Sequence, residues 1–385
     1  MRVSEHNGRR VRCRKIILPS SDARNKVPTS AVSAIVQGGV YVNKWKFTTT
    51  CGAAVFFVAG LVHTAYGAPI DELIGGAKKE GVIELYAPST LTPQGAQRLG
   101  EAFNKQYGLN LKLNFSPSGS MTRDVGKIVG IAATGQPQEW DVMLVHDGGH
   151  ATLWLKKLHK SFDYAKIGVD PQAIQYDRGT VILANQFVMP AYNNQLVPPR
   201  DVPKSWQDLL DPKWKGGKLG MSTATHHLAR LATLWGENKT TEFVKLLARQ
   251  EPLLGEFGNL YSRMQLGEVL VIITMTDSFT HQAKLQGAPI VHAESVTPII
   301  SPAYNAGVLK GSPHPNAGHL FSAFLSTAQA QEILQKFGGQ TSAFVPGTPA
   351  YKYAQGKQVI YMKQEHAEMV DRLTAEYGKI FGLRQ

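Results

Sequence analysis

Four short runs combine residue types that can bind or react. Ser118-Gly119-Ser120 is followed by Arg123. A helix opening there would present free backbone N–H groups and a positive end, which suit a carboxylate or phosphate. A guanidinium one turn later can take the same anion in bidentate fashion. Ser222, Thr223 and Thr225 form a hydroxyl cluster, and Thr276, Asp277 and Ser278 form another. His146-Asp147-Gly148-Gly149-His150 places histidines at i and i+4, a ligand spacing on a helix. Its two glycines argue against a helical turn, and no third ligand clusters with them. The run is therefore expected to be a polar strand-end loop with His146 on a cleft, and no metal site is expected. Gly220-Met221-Ser222-Thr223-Ala224 narrowly misses the G-x-S-x-G nucleophile elbow, and Asp277 with His281 or His292 follows in hydrolase order. Ala224 replaces the second glycine and no oxyanion-loop glycine cluster precedes it, so an exported serine hydrolase using Ser222 is a remote alternative. His226 and His227 would point about 100° apart on a helix, so at most one is expected to face a cleft.

Alternating strand and helix signals position these runs. Val82-Ile83-Glu84-Leu85-Tyr86 is a short apolar run ending near Ser89 and Thr90. Thr92-Pro93 opens a helix with an apolar stripe at Leu99, Ala102 and Phe103, and Gly108 stops it. Leu109 to Phe115 alternates as a half-buried strand does. A second helix runs through Val125, Ile128 and Val129, and Asp141 to Val145 is a third strand. This βαβαβ order implies a parallel sheet covered on both faces. A second unit holds Ser205-Trp206-Gln207-Asp208, a capping box, and Glu268 to Met275, the most hydrophobic stretch and an expected central strand. Ser326 to Gln329 reads as another capping box. In such sheets clefts form at the carboxyl ends of strands, which is where the hydroxyl clusters fall.

Net charge and cysteines point elsewhere. The 385 residues carry a formal charge of +12. Eight of those charges fall in residues 1–68, which hold ten basic and two acidic residues. Lys44 and Lys46, the apolar core Ala53 to Val62 and the small residues Ala65 to Ala68 read as an export signal. The core is too short to span a bilayer. Cleavage is expected near Gly67 or Ala68, with Val40 or Val42 as the true start and residues 1–68 removed. The rest is nearly balanced in charge and lacks both cysteines, Cys13 and Cys51. Nucleic acid is therefore not an expected partner, and thiolate metal sites, disulfides and cysteine nucleophiles are excluded from residues 69–385.

The run Val202-Pro203-Lys204-Ser205-Trp206-Gln207-Asp208-Leu209-Leu210-Asp211-Pro212-Lys213-Trp214-Lys215-Gly216 resembles the signature of the family-1 extracellular solute-binding proteins, the periplasmic components of ABC importers in the ferric-iron, thiamine and phosphonate branch. Leu266-Gly267-Glu268 and the stretch from Gly307 to Ser326 resemble the same family, over residues 80–345. The resemblance implies an α/β type II periplasmic binding fold, with two α/β lobes joined by two extended crossover segments that close on a ligand. Phe187 to Asn193 and Ser301 to Gly307 would be the crossovers. Lobe 1 would be 69–188 with 305–385, and lobe 2 would be 189–304. The implied partners are a small-molecule solute and an inner-membrane ABC permease, with a monomer as the family expectation and no cofactor. Ligand contacts are then expected from Ser89, Thr90, Ser118, Gly119, Ser120, Arg123, His146, Ser222, Thr223, Thr225, Thr276, Asp277, Ser278 and Tyr304. The solute is expected to be a small polar anion, a carboxylate or phosphonate. The ferric branch carries adjacent tyrosines just after the central strand, whereas this chain has Thr276-Asp277-Ser278-Phe279; iron and thiamine remain alternatives.

Overall fold

In the computed structural model, residues 67–383 are described. Residues 1–66 of the expected leader, with its apolar core, the start-site reading and both cysteines, lie outside them. Thirteen strands occur among the described residues: β1 (Val82–Ala87), β2 (Lys112–Pro117), β3 (Val142–His146), β4 (Ile174–Gln175), β5 (Thr180–Asn185), β6 (Val188–Asn193), β7 (Leu219–Ser222), β8 (Leu253–Gly255), β9 (Val271–Thr276), β10 (Ile290–His292), β11 (Ile299–Ser301), β12 (Ala303–Val308) and β13 (Val359–Tyr361). The helices are α1 (Gly67–Glu80), α2 (Thr92–Tyr107), α3 (Met121–Ala133), α4 (Asp147–Leu155), α5 (His226–Arg230), α6 (Ala232–Trp235), α7 (Glu237–Ala248), α8 (Phe257–Gln265), α9 (Asp277–Gln286), α10 (Pro315–Phe324), α11 (Ala328–Gly338), α12 (Pro349–Ala354) and α13 (Ala367–Ile380).

Local chemistry sets the element ends. The hydroxyl of Thr92 accepts the Gly95 N–H at 3.2 Å, Pro93 occupies the first turn of α2, and Gly108 stops it at φ 63°. Leu99 and Phe103 bury the apolar stripe of that helix against lobe 1. Thr327, not Ser326, caps α11 by accepting the Ala330 N–H. The Ser205–Asp208 box is reciprocal: Asp208 accepts the Lys204 and Ser205 N–H groups, and its own N–H donates to the Ser205 hydroxyl. Within the same run Trp206 is fully buried and donates to the Pro298 carbonyl at 3.0 Å. The most recognisable motif of the chain is thus a structural corner of lobe 2.

Two sheets form. The first orders β2-β1-β3-β12-β5-β4 and the second β13-β11-β6-β9-β7-β8, with β10 on β6. β1 is parallel to β2 and β3, while β12 runs antiparallel to β3 and β5. In the second sheet β9 is central, parallel to β7 and antiparallel to β6, with all six residues buried. The chain passes from the first sheet to the second at Gln186-Phe187 and returns at Pro302. A third passage follows α11, and here the expectation that residues 305–385 all belong to lobe 1 is corrected. β13 pairs in parallel with β11 of the second sheet. Ile360, Met362, Val370, Leu373 and Tyr377 then complete the lobe 2 core. The physical reason is that the outer edge of β11 needs a backbone partner and α5 and α7 need an apolar cover, which α13 supplies. Asn185 ties the three passages together: its amide donates to the Ser301 hydroxyl, its carbonyl accepts the Ala343 N–H, and its own N–H donates to Thr341.

Candidate functional site

A cavity of about 930 Å³ opens between the lobes, a size typical of sites for small molecules. Lobe 1 contributes Val125 and Gly126 of α3, His146, the first turns of α4, and Tyr304 of β12. Lobe 2 contributes His226, His227 and Arg230 of α5, Phe257, and Thr276, Ser278 and Phe279 around the start of α9. Gln186, Pro302 and Ala303 of the crossovers form the floor, and Met362, Ala367 and Val370 of the third passage extend one wall.

The polar centre of the cavity is an ion pair that bridges the lobes. Arg230 Nη2 donates to Asp147 Oδ1 at 2.5 Å, with side-chain exposures of 2% and 5%. Asp147 also accepts the Gly148 N–H at 2.8 Å and the Ala303 N–H of the second crossover at 3.2 Å. Arg230 Nη1 donates to the His226 carbonyl, and its buried Nε has no partner. Burial works to raise the Asp147 carboxyl, but the charge of Arg230 and the backbone N–H groups together hold it below the ordinary carboxylate value.

α4 is positioned by the run expected to be a loop. That expectation is corrected: a helix begins directly at Asp147. The His146 ring nitrogen Nδ1 accepts the Gly149 N–H at 3.0 Å and so caps the helix. A Cβ on Gly149 would sit 3.2 Å from methyls of Val125 and Val145, so the glycine that weakens the helix also lets it pack against β3. His150 faces the lobe 1 interior, where its Nε2 meets the Met143 and Asn305 carbonyls and its Nδ1 meets His159 at 3.0 Å. The two histidines therefore do not converge on one ion, and no group of three His, Cys, Asp or Glu suited to a metal occurs among the described residues. Burial keeps the cleft histidines neutral, lowering His227 to about 3 and His226 well below its usual value. Both line the cavity with rings 4.2 Å apart, which corrects the expectation that at most one faces it.

The fourteen residues expected from the sequence separate into two groups. His146, Thr276, Ser278 and Tyr304 line the cavity. The others stand outside that lining. Ser89 and Thr90 are exposed, and Thr90 borders a much smaller hollow beside Tyr304. The Ser118-Gly119-Ser120 turn is filled from within: Asp124 sits at the start of α3, accepts the Tyr86 hydroxyl at 2.7 Å and lies 3.5 Å from the Ser120 N–H. Arg123 is 73% exposed and rests on the same Asp124. Ser222 is buried and hydrogen-bonded to Thr274 at 3.1 Å, while His292 contacts the Met275 carbonyl and Thr280; no triad assembles. Thr223 bonds Glu256 and Thr225 bonds the Thr374 carbonyl. Asp277 accepts the Phe187 N–H of the first crossover at 3.1 Å, and burial raises its carboxyl to about 6. It therefore mirrors Asp147, each carboxylate starting a helix and pinning one crossover. Sequence reasoning passed over Arg230. The available signal was a lone charge inside the apolar run Leu228-Ala229-Arg230-Leu231-Ala232, which is costly to bury without a partner.

Residues 83–340 match the family model described as bacterial extracellular solute-binding protein. The chain belongs to this family. Solved structures place the fold among the type II periplasmic binding proteins. Iron-bound HitA from Pseudomonas aeruginosa superposes on this binding protein with a TM-score of 0.61 at 17% identity, over 77% of this chain and 99% of that one. The Trichodesmium protein IdiA (FutA), in complex with iron and citrate, gives 0.63 at 16% identity over 79% and 100%. AfuA from Actinobacillus pleuropneumoniae, with exogenous fructose-6-phosphate bound, gives 0.60 at 20% identity over 79% and 99%. An uncharacterized protein of Haemophilus influenzae is 30% identical over 148 residues, 36% of this chain. This binding protein thus matches about two fifths, 42%, of that relative's length.

Proposed function

We propose that this protein is the periplasmic receptor of an ABC importer, which closes its lobes around a small solute bearing an anionic group, a carboxylate or phosphonate, and hands it to an inner-membrane permease. The observation that carries this reading is the cavity between the lobes with Arg230 as its buried cation. One Arg230 N–H is without a partner, and a buried donor left unpaired costs about 1–3 kcal/mol until a ligand accepts from it. Family membership and fold support binding without chemistry, and the buried Ser222 hydroxyl is hydrogen-bonded with the Thr274 hydroxyl rather than with a histidine. Iron suits the site less. The cleft offers one tyrosine, Tyr304, whose phenol is raised by burial and by Asp147 and so resists becoming a phenolate. Thiamine would set a cation against Arg230.

A thermal-shift screen of the purified protein against organic acids, phosphonates, thiamine and ferric salts tests the reading. A ligand at 100 times its dissociation constant adds about 2.7 kcal/mol by mass action, and a rise in the melting midpoint is expected with organic anions. A rise with ferric ion alone contradicts it.

A further inference from the structure

We propose that the solute is an aromatic monocarboxylate whose ring lies along His227, Phe257 and Phe279 while its carboxylate meets Arg230. The proposal rests on the reading of the cleft as an anion site and narrows it. Three observations carry it. First, the lobe 2 wall is an aromatic row: His227 and Phe257 have ring centroids 5.9 Å apart, and Phe257 and Phe279 5.7 Å apart. All three line the cavity. Lobe 1 brings small residues to the same space, Gly126, Gly148, Gly149 and Ala151. An aromatic wall facing a stretch of small residues suits a flat ring, which stacks in offset or edge-to-face geometry.

Second, the charge balance argues against a dianion, because Arg230 and Asp147 already neutralise each other and every negative charge the ligand brings adds to the cleft. Arg230 is buried and already faces Asp147, which also holds two backbone N–H groups. The polar atoms of that wall left without a partner are the Arg230 Nε and the His227 Nδ1, both buried. A charge-assisted hydrogen bond to one carboxylate oxygen is a strong one. A phosphonate or dicarboxylate dianion would bring a second charge into the cleft with no buried cation to meet it. The charged side chains that complete the lining, Lys156 and Asp371, are exposed and of opposite sign.

Third, the size of the cavity, about 930 Å³, exceeds what a bare carboxylate fills. The remaining walls include Val125, Met362 and Val370, which gain by meeting apolar surface rather than water.

Isothermal titration of the purified protein with sodium benzoate, cyclohexanecarboxylate, acetate, phenylphosphonate and benzyl alcohol separates the possibilities. Benzoate is expected to bind at least about threefold tighter than cyclohexanecarboxylate, as aromatic pairing predicts. It should exceed acetate and phenylphosphonate by roughly tenfold or more. Replacing Phe257 and Phe279 together by leucine should weaken benzoate about tenfold, while a urea unfolding transition close to that of the unaltered protein shows that the variant is folded. Cyclohexanecarboxylate, acetate or phenylphosphonate binding as tightly as benzoate overturns the aromatic monocarboxylate and leaves the anion reading standing. Benzyl alcohol binding as tightly as benzoate overturns the anion reading itself. No heat with any of the five at about 10 mM, a concentration that detects even millimolar affinity, overturns the proposal, while thermal shifts with other anions would still support the reading beneath it.

Discussion

Replacing Asp147 by alanine is expected to cost about 3–5 kcal/mol of unfolding free energy, because it leaves the Arg230 guanidinium buried and uncompensated. Arg230 is 2% exposed and Asp147 is its partner at 2.5 Å. A second loss adds to the first, since Asp147 also accepts the Ala303 N–H where the chain re-enters lobe 1. Asp147→Asn separates the two effects. It keeps an acceptor for Ala303 while removing the charge, so it should lose less than alanine does. The double variant Asp147→Leu with Arg230→Met removes both charges and should recover most of the stability, because a buried ion pair is worth little against well-packed apolar residues. Urea unfolding of the three variants checks this. A loss below about 1 kcal/mol for Asp147→Ala, the scale of an exposed pair, would show that the bridge contributes little.

Acidification should unfold the protein well above the carboxylate range. Burial lowers His150 and His292 to about 4 and His227 and His319 to about 3, and holds His159 and His226 well below their usual value. In the unfolded chain these histidines titrate near 6.5. Between pH 6.5 and about 4 the unfolded state binds protons that the folded state refuses, so stability falls as pH falls. Each fully titrating histidine contributes about 1.4 kcal/mol per pH unit, and several acting together remove on the order of several kcal/mol by pH 5. Asp277 works in the opposite direction. With its carboxyl raised to about 6, it favours the folded state as pH drops, but it is one group against seven, since burial lowers His146 as well. Stability should therefore be full above about pH 7 and should drop steeply toward pH 4.5, with net proton uptake on unfolding. An unfolding free energy that stays level from pH 7.5 to 5 would contradict this.

Much of the framework was legible because its signals are local. Thr92-Pro93 and Gly108 bound α2, the Ser205–Asp208 box closes on itself, and the apolar run before Thr276 is the central strand. The site was less legible because its chemistry is long-range. Asp147 and Arg230 are 83 residues apart and meet only when two sheets face each other. The C-terminal exchange of lobes depends on which sheet edge is open, and no periodicity encodes that. Helix N-termini misled in a consistent way. The start of α3 looked free for an anion and the Thr276-Asp277-Ser278 run free for hydrogen bonds to a ligand, yet Asp124 and Asp277 from the first turns of α3 and α9 occupy the neighbouring donors, as Asp147 does at α4. A first-turn acidic residue stabilises a helix, and by the same interaction Asp124 takes the place an anion would have at the start of α3. The His146–His150 run was misread because the capping imidazole and the close packing at Gly149 outweigh the intrinsic cost of glycine in a helix.

The central claim is that one solute is held by both lobes around Arg230. Hydrogen–deuterium exchange, with and without the compound giving the largest shift in the screen of acids, phosphonates, thiamine and ferric salts, tests it most directly. The account predicts that protection rises together at the start of α4 in lobe 1 and at α5 and the start of α9 in lobe 2, while the Ser118–Asp124 turn is unchanged. Protection confined to one lobe, or centred on residues 118–124, would contradict it.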